Sequence, residues 1–112
     1  MIIEKTICDY LNGVLDEYAF PEQPADKPAS YVLVEKTGSS RRDYITQSTV
    51  AIQSYAESMY EAAKLNEKVK NAVDSMIALS DVYSVRLNSD YNFTDTSRKK
   101  YRYQAVYDIT HC

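Results

Sequence analysis

Glycine is nearly absent: the chain of 112 residues holds two, Gly13 and Gly38. A loop that cradles phosphate needs several glycines at fixed spacing, and Gly38-Ser39-Ser40-Arg41-Arg42 lacks the GK[ST] ending, which excludes a Walker-type nucleotide site. Histidine occurs once, as His111, next to the last residue. Chain ends fray, so His111 is expected to be too loosely held to act as a general base. The two cysteines, Cys8 and Cys112, stand near opposite ends and form no CxxC pair. They read as reduced thiols, and with His111 they fall short of the paired four-ligand spacing of structural zinc. No metal, cofactor or catalytic constellation is expected. Apolar runs are short, about four residues as in Tyr31 to Val34, against the roughly 18 residues a membrane span needs. Glu4, Lys5 and Asp9 interrupt the start of the chain before any export-type apolar region can form.

What the chain does have is tyrosine: 11, with two Phe and no Trp. Tyrosine suits half-buried strand faces and protein interfaces, because its ring is apolar and its tip tolerates water. The balance of 13 basic against 16 acidic residues, net charge −3, argues against a general nucleic-acid binder. One domain is expected at this length, with a core large enough to fold without staples.

Ile3, Ile7, Tyr10, Leu11, Val14, Leu15 and Tyr18 recur at helical spacing, predicting an amphipathic helix over 2–18 within an N-terminal segment 1–19. All three prolines fall in 20–30, which reads as an extended connection. Tyr31 to Lys36 and about 43–55 read as strands joined by a polar turn at 37–42. Ser58-x-x-Glu61 matches a capping box opening a second helix over about 57–79. Its apolar face would carry Met59, Ala62, Leu65, Val69, Ala72, Val73, Met76 and Ile77. Strands over 82–87 and about 100–110 follow. In the last, Tyr101, Tyr103, Ala105, Tyr107 and Ile109 alternate with Arg102, Gln104, Asp108 and Thr110, giving one core-facing side. The predicted fold is therefore α+β: a single domain in α-β-β-α-β-β order, residues 31–112 carrying the hairpin, second helix and last strands. Its largely antiparallel or mixed four-stranded sheet would be covered on one face by both helices.

Two basic clusters stand out as docking candidates: Arg41 with Arg42 at the hairpin tip, and Arg98, Lys99, Lys100 and Arg102 at the start of the last strand. Charged strand ends also serve simply to discourage aggregation. Tyr83, Tyr91, Tyr101, Tyr103 and Tyr107 are reminiscent of base-stacking sheets, but the Gly-bearing RNP pattern of those modules is missing.

One stretch is more telling. Val32-Leu33-Val34-Glu35-Lys36-Thr37-Gly38-Ser39 is followed by Thr49-Val50-Ala51-Ile52-Gln53-Ser54-Tyr55-Ala56-Glu57-Ser58, then Glu61-Ala62 and Tyr103-Gln104-Ala105-Val106-Tyr107. Over about residues 31–110 this resembles the tail terminator and tail-completion (head–tail joining) proteins of long-tailed phages and prophages. Their pattern is a VE-x-T-G turn, an AIQ-x-[WY]-A-x-S strand, an EA helix start and a final YQ strand. Tyr55 stands where many relatives carry Trp. The resemblance implies a structural virion protein, not an enzyme, that works by self-association and docking. It implies a ring, usually of six copies, that caps the tail tube and meets the head connector, with DNA at most passing through. It also implies assembly in the host cytoplasm and a place in the virion tail, with no small-molecule substrate and no membrane. Arg41 and Arg42, on the matching hairpin, become candidate contacts. A head-side completion protein and a small nucleic-acid-binding module remain the alternatives.

Overall fold

In the computed structural model, which describes residues 1–112, the N-terminal apolar spacing folds as helix α1, Ile3–Val14. Ile3, Ile7, Cys8 and Leu11 are its buried stripe. The helix stops short of the predicted residue 18 because the chain turns extended at Leu15. Tyr18–Phe20 then forms a short strand, β1, parallel to the start of β2, Tyr31–Arg42. Asn12 explains why a strand forms there. Its Oδ1 accepts the Ala19 N–H at 2.8 Å and its Nδ2 donates to the Ala19 carbonyl, so both backbone groups are satisfied on the side away from β2. The sheet is thus five-stranded and mixed, which corrects the four-stranded expectation.

Strand β2 turns directly into β3, Ile45–Ala56, through Asp43 and Tyr44, both at positive φ. That is the pair of values a two-residue type I′ hairpin requires. The turn therefore lies at 43–44 and not at 37–42; Gly38 sits inside the strand, beside a bulge at Thr37. Helix α2, Met59–Asp74, starts at Ser58, whose Oγ accepts the Glu61 N–H at 3.1 Å. Only this half of the predicted capping box forms. After Asp74 the chain tightens into a 3₁₀ turn, Ser75–Ala78, which turns Ile77 out to solvent although α-helical spacing placed it on the buried face. Strand β4, Val82–Asn92, runs longer than predicted, and β5, Tyr101–His111, returns between β3 and β4. The order across the sheet is β1-β2-β3-β5-β4, antiparallel at every pairing except β1–β2.

Alternation then decides the two faces. Val32 and Val34, Val50 and Ile52, and Ala105, Tyr107 and Ile109 all meet Ile7 and Leu11 of α1 and Leu65, Val69 and Val73 of α2 in one core. Both helices accordingly cover the same face. Tyr107, fully buried, donates its Oη proton to Asp74 Oδ1 at 2.9 Å and so ties β5 to the end of α2. Of the alternating set in β5, Tyr101 and Tyr103 remain half-buried, ahead of the fully buried stretch. No helix is long and apolar enough to cross a membrane.

Candidate functional site

The register separates the two basic clusters. Arg42 pairs with Ile45 at the first end of β3, and Tyr101 pairs with Ala56 at the other. Twelve strand residues at about 3.3 Å each put roughly 35 Å or more between those ends. Arg41 and Arg42 are themselves divided, since consecutive strand residues point to opposite faces. Arg41 lies on the helix-covered side, Arg42 on the other, and each lines a different surface cavity.

At the far end, Arg98, Lys99 and Lys100 lie in the loop between β4 and β5, closed by the Asp95–Lys100 bridge. Lys27, from the proline-bearing connection, comes close enough to lower the Lys100 pKa from its ordinary value, with Arg98 adding to the effect. Sequence spacing gave no sign of Lys27. Arg102 does not belong to this exposed group. Its Nη1 donates to Tyr55 Oη at 2.8 Å, its Nε donates to the Phe93 carbonyl at 2.7 Å, and its guanidinium lies 4.4 Å from the Phe93 ring centre. It clamps a second, smaller cluster on the helix-free face, where Tyr31 and Tyr55 stack at 4.6 Å beside Leu33 and Phe20. Gln23, Gln53, Gln104 and Tyr91 connect these hydroxyls in one chain of hydrogen bonds. Tyr55 Oη donates to Gln53 and accepts from Gln23 and Arg102, so the network is internally satisfied.

His111 corrects the expectation of a frayed end. It is the last residue of β5, only 3% exposed, with Nε2 2.8 Å from Ser48 Oγ and Nδ1 3.0 Å from the main-chain oxygen of Cys112. The main-chain oxygen of Cys112 can only accept, so Nδ1–H donates to it, while Nε2 faces the Ser48 hydroxyl. This is the contact a nucleophile and base require. Yet Ser48 is 1% exposed and sits mid-strand with β3 paired on both edges, which leaves no pair of free amides to hold an oxyanion. Elsewhere, no three His, Cys, Asp or Glu side chains gather as a metal would need.

The least protected backbone is at the sheet edges. Strand β1 covers β2 only from Tyr31 to Leu33, and from Glu35 to Arg42 every residue of β2 is exposed. Since Arg42–Ile45 closes the hairpin as a hydrogen-bonded pair, alternate residues Arg41 and Ser39 turn their N–H and C=O outward. On the opposite side, β4 is the other free edge, bulged near Tyr83 and Asn88. Compared with known proteins, the chain matches no family model and no curated protein.

Proposed function

We propose that the chain is a ring-forming structural subunit of the phage tail terminator type, acting by self-association and docking without a reaction. The observation that carries this reading is the pair of unpaired strand edges on opposite sides of one sheet. An exposed strand edge is a template for another strand. When the two mating edges differ, as β2 and β4 do, the contact is head-to-tail, and a suitable rotation closes it into a ring. The bulges at Thr37, Tyr83 and Asn88 restrict which strand fits and so favour a specific neighbour. The resemblance over residues 31–110 supplies the virion context, with six copies the expected number and the tail tube and head connector the expected partners.

The test is Ser39→Pro. Proline removes the outward N–H and adds a ring on the docking side, while the bonds to β3 are spared. Sedimentation of the wild type should show association that rises with concentration, and Ser39→Pro should remain monomeric with unchanged circular dichroism. Equal association by both would remove the β2 edge from the account.

A second reading, a nucleic-acid-binding module, draws on Lys27 joining Arg98, Lys99 and Lys100 at one end of the molecule. Retention on DNA or RNA that weakens steeply with salt would favour it, and no retention at low salt would end it.

A further inference from the structure

At the hairpin end, the helix-covered face of the sheet extends past the core into a cavity of about 310 Å³. Its walls follow from register. Arg41 stands opposite Thr46, Ser39 opposite Ser48, and Thr46 opposite His111, so alternation brings these side chains to one face at neighbouring positions. Lys36 completes the set one step along β2. No acidic side chain lines the cavity, the main-chain oxygen of Cys112 at its wall is engaged by His111 Nδ1–H, and neither Lys36 nor Arg41 forms an ion pair. The hydroxyls of Ser39 and Thr46 have no partner within the chain, in contrast with Thr49 and Ser48, whose hydroxyls are engaged. The N-terminus of α1 borders the opening at Ile3, with Glu4 in its first turn offsetting the positive end of the helix dipole.

The geometry points to an oxyanion site: a cavity that takes a carboxylate or phosphate group between Arg41, Lys36 and the hydroxyls of Ser39 and Thr46. Arginine supplies a planar fork of donors suited to two oxygens of one group, and lysine a point charge. Ser48 and His111 form the floor. The contacts of Nδ1 with the Cys112 main-chain oxygen and of Nε2 with Ser48 Oγ hold the ring fixed, so it reports on charge placed above it without moving. Ser39 and Arg41 serve this site through their side chains and the proposed docking edge through their backbone, so Arg41→Ala tests the site while leaving the outward N–H and C=O of β2 in place.

The experiment is an NMR titration of the full chain with inorganic phosphate, repeated with acetate and with chloride at constant ionic strength. Saturable shifts are expected at Ser39, Arg41, Thr46 and His111, with chloride giving none. Saturation by phosphate alone assigns a phosphoryl ligand, by acetate alone a carboxylate, and by both a general oxyanion site. Arg41→Ala should weaken binding about tenfold or more, and Arg42→Ala, on the opposite face, should leave it unchanged. Equal shifts with chloride, no saturation, or equal losses from both arginine variants would overturn the proposal.

Discussion

Replacing Arg102 by alanine separates a structural clamp from a free docking cation. Arg102 makes two charge-assisted hydrogen bonds, to Tyr55 Oη and to the Phe93 carbonyl, and lies against the Phe93 ring. A fully buried bond to a charged group is worth about 1.5–3 kcal/mol, but Arg102 is half-buried, so about 0.5–1 kcal/mol each is appropriate. The cation–π contact contributes about 0.5 kcal/mol more. Truncation leaves no orphan, because Tyr55 Oη keeps Gln53 and Gln23 and the exposed Phe93 carbonyl can turn to water. The sum is about 2 kcal/mol, or a fall in Tm of about 8 °C for a domain of this size. Urea unfolding of Arg102→Ala should show a lower midpoint at unchanged slope. Arg98→Ala, whose side chain is exposed and 3.9 Å from Asp95, should be indistinguishable from wild type. Equal stability of the two variants would refute the clamp and return Arg102 to the docking candidates.

Three further outcomes are expected. Tyr107→Phe should cost about 1 kcal/mol by removing the bond to Asp74, read by chemical unfolding. Burial, then Asp74, raises the Tyr107 pKa, so wild-type stability should fall as pH rises above about 10, where the unfolded phenol ionises first, and the variant should lose less. Burial, followed by Asp9 and Glu4, pushes the Cys8 thiol up to about 11, while Cys112 is exposed. A thiol reagent near pH 8 should therefore find one fast thiol, and a second only on unfolding. Ser58→Ala should cost about 1 kcal/mol through loss of the cap on the Glu61 amide, measured by thermal melts.

The sequence made legible those elements whose pattern is local. The alternation ending in Ala105, Tyr107 and Ile109, the apolar spacing of α1 and α2, and the proline-bearing connection all carried their own signal. The misplaced features depend on contacts distant in sequence or on single backbone angles. Strand β1 exists because Asn12 bonds to Ala19 seven residues on, which no period of two could reveal across three residues. The tight turn at Asp43-Tyr44 has no glycine, so the eye goes to Gly38 instead. His111 is ordered because β5 pairs to its last residue with β3 and β4, a placement set by topology. The same topology parts Arg41 from Arg42, gathers Lys27 with Lys100 and commits Arg102 to the helix-free face. Composition shows that cations are present; register decides which are free.

The central claim is that two unlike strand edges join copies of this chain into a closed ring. Native mass spectrometry across a concentration series, with negative-stain images of the largest species, tests it most directly. The account predicts a discrete closed oligomer, six copies with a central hole. A strict monomer at every concentration, or open-ended fibres without a closed species, would contradict it.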